Sequence, residues 1–252
     1  MPQLDLFTWT VWLANIATQT ALTIIILKKD EWKKWKALFS FILFQTIIGY
    51  FLLATALGAF PYQLTPKIYF YSYWASSSIA SILLLWVLID ILQRQLLTQK
   101  HLIRNIVIAL TVGTGVLCAL MIKNEPIVYD SKVTHLAVLL DRSISFAWLA
   151  SFFSVSSCLK AFDVAWVGRT ARIALGSMVF ASGKLLSALL CGLLPNTRLV
   201  SNLCELCYFF ALAIWVDEFL RNEEKIIDPP SIEKLRFVIQ ALLDAVQKVR
   251  AK

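Results

Sequence analysis

Residues 37–60, ALFSFILFQTIIGYFLLATALGAF, hold no Asp, Glu, Lys or Arg. A run of about twenty apolar residues is what an α-helix needs to cross the hydrocarbon core of a bilayer. Six further runs of comparable character occur, so the expected spans are 6–27, 37–60, 69–93, 104–122, 133–158, 172–194 and 199–219. Composition agrees. The chain has 252 residues, of which 59% are hydrophobic and only 16% charged, and its mean hydropathy is +0.70. A soluble domain is about half apolar and roughly a quarter charged. This much apolar surface calls for lipid to cover part of it. The predicted fold class is all-α: a polytopic bundle of seven transmembrane helices in 1–220, followed by a tail, 221–252. All seven prolines fall between the expected spans or in the tails, in keeping with the proline ring breaking the helical hydrogen-bond ladder.

Orientation is read from lysine and arginine. One set of loops and span ends carries Lys28, Lys29, Lys33, Lys34 and Lys36, then Arg94, Lys100 and Arg104, then Lys160, Arg169 and Arg172, then Arg221 and Lys225. The alternate set carries only Lys67, Lys123, Lys132 and Arg198. The N-terminus is therefore expected outside and the C-terminus in the cytoplasm. The net charge of +8 is mostly this topogenic charge, so no nucleic-acid partner is expected. The opening MPQLDLFTW carries Asp5 and no basic residue, unlike a cleavable signal peptide, so the first span is expected to stay in the mature protein. Trp9, Trp12, Tyr62, Tyr69, Tyr71, Tyr73 and Trp74 would mark the outer interface, and Trp32, Trp35, Trp86, Trp166 and Trp215 the inner one. Tyr69 and Tyr73, four apart, can also share the wall of an outward pocket.

Charges at membrane depth are costly and usually face the bundle interior. VLLDRSISFAW, 138–148, puts Asp141 and Arg142 inside the fifth span. At 1.5 Å per residue they lie about 12–14 Å below its outer end, Lys184 about 15 Å below that of the sixth, and Glu205 about 9 Å below that of the seventh. The four form one layer, with Lys184 and Glu205 the most credible ion pair, on neighbouring antiparallel spans. Asp141 and Arg142 diverge by about 100° on their helix and so reach toward different neighbours. Ser145 lies one turn below them. Asn15 and Gln19 in the first span, Ser77 with Ser76 and Ser78 in the third, and Gln45 in the second add polar groups at comparable depth. Two readings remain open. In one, these groups only hold helix register. In the other, they line an outward-facing cavity for a small polar or charged molecule. The ligand-binding candidates are Asp141, Arg142, Ser145, Lys184, Glu205, Asn15, Gln19, Ser77 and Tyr73. Asp90 with Arg94, and Asp217 and Glu218 with Arg221, are expected as ion pairs at the inner interface.

No catalytic, metal or cofactor set is expected. His101 and His135 are the two histidines, and HExxH, GxSxG, P-loop and Rossmann patterns are missing. Cys204 and Cys207 have the CxxC spacing, but no second pair or nearby histidine completes a zinc set. A disulfide between Cys191 and Cys204 is a minor alternative to simple packing. FASGK, 180–184, approaches the serine motif of rhomboid proteases but has Phe180 in place of a glycine and lacks a later histidine. Microbial rhodopsins also have seven spans, yet they hold retinal on a lysine of the last span, where this chain has none. With its acidic N-terminus, Lys/Trp-rich first inner loop and YFYSYW at 69–74, the chain resembles in architecture the uncharacterised bacterial seven-helix membrane proteins. That resemblance implies a multi-pass protein of the bacterial inner membrane and no particular activity.

In the tail, Leu235, Ile239, Leu242, Val246 and Val249 recur at helical spacing after Pro229 and Pro230. An amphipathic helix over 231–250, with Ser231 as its cap, is expected. It would lie on the membrane, dock under the bundle, or pair with another copy or a partner. No kinase or cyclase sequence follows the last span, so any output would pass through a partner. The expected function is a non-enzymatic sensor or partner-binding module. The alternatives are a small-solute or proton-coupled transporter and an accessory subunit of a membrane complex.

Overall fold

The computed structural model describes residues 6–59, 65–96, 112–113, 116, 132–161, 166, 168–190 and 197–221. These hold six long helices and no strand: α1 (Leu6–Lys28), α2 (Lys36–Ala56), α3 (Thr65–Leu96), α4 (Lys132–Ala161), α5 (Gly168–Leu190) and α6 (Thr197–Leu220), with a short 3-10 turn at Glu31–Lys33. The expected span 104–122, apart from Val112, Gly113 and Val116, lies outside the described residues, as does the tail helix 231–250. The described fold is thus six helices rather than seven. Three are long and apolar enough to cross a membrane: α1, α2 and the Lys67–Gln95 part of α3.

The helices mostly overrun the expected spans, because a helix continues past the charged residue that ends an apolar run. α3 shows this at its start. It begins at Thr65 and takes Pro66 into its first turn, where a missing N–H costs nothing and the fixed φ suits the helix. Pro66 is therefore helical, a correction to the expectation that every proline lies between spans. α2 ends early, at Ala56 rather than residue 60. Gly58 adopts φ +88°, its N–H donates to the Thr55 carbonyl, and the Ala59 N–H donates back to the Ala54 carbonyl. Such a paired closure around a left-handed glycine terminates a helix firmly.

Each helix packs on the next, α1 on α2, α2 on α3, α3 on α4, α4 on α5 and α5 on α6, and α6 packs back on α1. The six form a closed ring. α1 and α6 run parallel. Thr8 Oγ1 donates to Asn202 Oδ1 (3.1 Å) near their N-terminal ends, and Lys29 Nζ donates to the carbonyls of Leu220 (3.0 Å) and Arg221 (3.2 Å) at their C-terminal ends. The end of the ring holding Thr8 is called the upper end below, and that holding Lys29 the lower.

The lower half is packed shut. Phe41 of α2 meets Phe180 of α5 (ring centroids 6.1 Å) and Trp215 of α6 (6.2 Å), so helices on opposite sides of the ring touch across its centre. Phe180 also lies 4.6 Å from Tyr208. Trp148 of α4 is buried and donates its indole N–H to the Leu84 carbonyl of α3 (3.1 Å). In lipid, helices associate through van der Waals fit and hydrogen bonds rather than a hydrophobic drive, so these ring contacts supply much of the cohesion.

Below the aromatic plug, an ionic belt ties the turn after α1 to the α5–α6 pair. Arg169 Nη1 lies 3.0 Å from Glu31 Oε1, and its Nε lies 3.4 Å from Glu218 Oε1. Arg172 reaches Asp217 (2.7 Å) and Glu218 (3.4 Å), and Arg221 reaches Asp217 (2.9 Å). Arg94 pairs with Asp90 (3.0 Å), stacks over Trp35 and donates to the Lys34 carbonyl. The expected Asp90–Arg94 and Asp217–Arg221 pairs are thus present. Outside the belt, Lys33 holds the exposed Asp30 carboxyl below the usual carboxylate range through a 2.9 Å hydrogen bond. A carboxyl whose folded value is depressed loses its contribution as pH falls through that value, so this pair should survive mild acidification and open only once pH falls below the ordinary carboxylate range, seen as a shift in the Asp30 side-chain NMR signal.

Candidate functional site: a half-buried carboxylate in the upper half of the ring

Many of the described hydroxyls are spent on their own helix. Thr18, Thr23, Thr46, Ser143 and Ser177 each donate to the carbonyl four residues back, and Ser76 to the one three back. Without water nearby, a hydroxyl satisfies itself in this way. The serine-rich stretch of α3 therefore contributes less to a cavity than its composition suggests. Ser77 is only half-buried and Tyr73 is exposed, its ring stacked on that of Tyr69 at 6.4 Å.

A different group comes together between α1 and α6. Asn15, only 1% exposed, donates from Nδ2 to the Glu205 carboxylate (2.7 Å) and to the Glu205 backbone carbonyl (3.2 Å). Gln19 stands one turn below Asn15 and is buried, and Tyr208 stands one turn below Glu205 and is buried. The Gln19 amide neighbours the Tyr208 hydroxyl, and Tyr69 of α3 lies within electrostatic reach of Glu205. Facing parallel helices make this possible: residues advancing in step on α1 and α6 stay level.

α5 brings Lys184 to the same level. Gly183 packs directly on the Cys204–Cys207 turn of α6, and a Cβ at Gly183 would fall 2.9 Å from Cys207 Sγ. The Lys184 charge acts on Glu205, while its ammonium sits 5.0 Å from the centroid of the Phe180 ring. The direct hydrogen-bond partner of Glu205 is thus Asn15, with Lys184 a neighbouring charge rather than the bonded partner expected from the sequence. Proximity of α6 to α5 was legible from the four-residue connection; proximity of α6 to α1 was not.

Arg142 and Ser145 are both buried, on α4, which stands across the ring from α1. The side chain of Asp141 and the whole of Cys191 lie outside the described residues. Three of the expected site residues, Asn15, Gln19 and Glu205, are therefore gathered in one place, with Lys184 beside them. Tyr208 is the member that sequence reasoning missed. Its i+3 spacing from Glu205 was the available signal, masked by the apolar run around it. Glu31 and Arg169 were missed as partners too, since nothing in their local sequence links residues so far apart. Among the described residues no group of three His, Cys, Asp or Glu side chains converges as a metal site. Comparison with family models, with curated proteins and with solved structures gives no match to this chain.

Proposed function

We propose that the chain is an integral protein of the bacterial inner membrane with seven crossings, N-terminus outside, acting as a non-enzymatic sensor or partner-binding module through an outward-facing polar site. The observation that carries this reading is the pairing of buried Asn15 with half-buried Glu205 in the upper half of the ring, above a lower half closed by Phe41, Phe180 and Trp215. A carboxylate at membrane depth is expensive, and the usual reason to keep one is a ligand or ion. With its inner half sealed, the ring favours reception from outside over passage. The transporter alternative would need the aromatic plug to part, and the subunit alternative would leave Glu205 with a register role only.

The seven-crossing count has its own support. α2 runs antiparallel to both α1 and α3, and α5 antiparallel to α6, so α3 ends at the lower end of the ring while α4 begins at the upper end. The connection 97–131 has to return between them, which suits the apolar run at 104–122 as a crossing. The lipid bilayer is then the principal partner, with a membrane protein or a second copy receiving the output through the inner loops and the 231–250 helix.

Two measurements check the reading. A reporter fused after residue 252 should be active only on the cytoplasmic side. In a cysteine-free background, Glu205→Cys and Lys184→Cys should react with a membrane-impermeant thiol reagent added outside, while Phe219→Cys should not. Complete protection of both upper positions would sink the outward-facing site.

A further inference from the structure

We propose that the Asn15–Glu205 site binds a monovalent cation, an alkali ion or a small primary ammonium, with Glu205, Asn15 Oδ1, Gln19 Oε1 and the Tyr208 hydroxyl as its oxygen donors. This deepens the functional reading above and rests on it. The argument starts from an imbalance of donors and acceptors. Asn15 Nδ2 is committed to the Glu205 carboxylate and carbonyl, which fixes the amide orientation and leaves Asn15 Oδ1 as a bare acceptor. That atom and Gln19 Oε1 are buried without a hydrogen-bond partner, and the buried Tyr208 hydroxyl has the Gln19 amide beside it. The three residues are 1%, 5% and 6% exposed, so bulk water does not compensate. A buried acceptor left empty is costly, and two of them beside a carboxylate and a phenol oxygen make a surplus of lone pairs.

The chemistry that relieves the surplus is a hard cation or an N–H-rich ammonium, since every available donor atom is oxygen. Valence follows from charge. The site holds one carboxylate, on which the Lys184 charge acts, so a monovalent cation is matched when it takes the place of that charge, and a divalent one would leave a buried excess. The aromatic wall suits the same ligand: the Phe180 ring stands 4.6 Å from that of Tyr208 and already carries the Lys184 ammonium on its face. Lys184 is then the internal competitor of the bound cation.

The test uses the full-length protein in lipid nanodiscs, melted in sodium, potassium, methylammonium or N-methylglucamine chloride at equal ionic strength. At about a hundred times Kd, sodium, potassium or methylammonium should raise the unfolding midpoint by roughly 5 °C over N-methylglucamine. A response to sodium or potassium alone identifies an alkali ion, and one to methylammonium alone an organic ammonium. Glu205→Gln, which preserves shape, should abolish the response. Gln19→Leu and Tyr208→Phe should each weaken the affinity about tenfold, and Lys184→Met should tighten it. Equal midpoints in all four salts, or an undiminished response in Glu205→Gln, would overturn the proposal. If Glu205→Gln does not fold, an unchanged affinity in Tyr208→Phe does so instead. Thiol labelling from outside without a cation response would sink this inference alone. A cation response without labelling would support it and sink the outward-facing reading.

Discussion

Gly176→Ala is expected to destabilise the protein by about 2–3 kcal/mol, at the upper end of the usual cost of forcing a methyl group into a packed core. A Cβ at this position would fall 2.9 Å from Trp215 Cδ1 and 3.0 Å from Cε2. Trp215 has nowhere to go. Its side chain is fully buried, its indole N–H is tied to the Ile173 carbonyl at 3.1 Å, and Phe41 meets its ring edge-on from across the bundle. The clash must therefore be relieved by separating α5 from α6, which also loosens Gly183 against Cys207 one heptad along. Small residues at such crossings let membrane helices approach closely, and that approach is the source of their attraction. Thermal unfolding of the purified protein measures the loss. In a double-mutant cycle, Trp215→Phe should recover part of the Gly176→Ala effect, since the smaller ring vacates the space. Additive losses would show that the two residues do not share this contact.

Arg169→Met should cost about 3 kcal/mol, toward the lower end of what breaking a buried ion pair costs because the belt sits at the end of the ring. The arginine side chain is 13% exposed and stands between Glu31 and Glu218, exposed 7% and 11%. Removing it leaves two enclosed carboxylates with only the longer contacts of Lys34 to Glu31 (3.6 Å) and Arg172 to Glu218 (3.4 Å), and Glu31 already has one oxygen, Oε2, without a partner. Methionine keeps most of the length and loses the charge, so packing over the Phe219 ring is largely retained. The effect should then be electrostatic and should respond to charge. Glu31→Gln in the Arg169→Met background should restore stability, whereas Glu31→Gln alone should lower it. If the second substitution makes matters worse, Arg169 serves by packing and the belt is not the clamp described here.

The two sites differ in how far sequence could foresee them. Gly176 and Gly183 lie seven apart and so share a face of α5, but only the facing Trp215 and Cys207 show why no side chain fits there. The charges at Asp90, Arg94, Asp217 and Arg221 pair as expected because an i, i+4 spacing on one helix is a local fact. Glu31 and Arg169 are separated by most of the chain, and no local pattern announces their meeting. Glu205 was legible as an outlier in an apolar run, and its assignment to Lys184 followed from the short α5–α6 connection. Its partnership with Asn15 follows from ring closure, where the first helix lies beside the last.

By itself, then, the sequence determined the helical class, the approximate bounds of the six described helices and the inventory of polar groups in the apolar segments. Those follow from hydropathy and from backbone hydrogen bonding, which act over a single helix at a time. Which polar groups meet was decided by tertiary structure: the parallel pairing of α1 with α6 sets Asn15 level with Glu205 and Gln19 near Tyr208. The reason is geometric. A residue's depth along its helix can be counted from the sequence, but its neighbour around the ring depends on the order and rotation of whole helices, which close packing at Gly176, Gly183 and the aromatic centre selects.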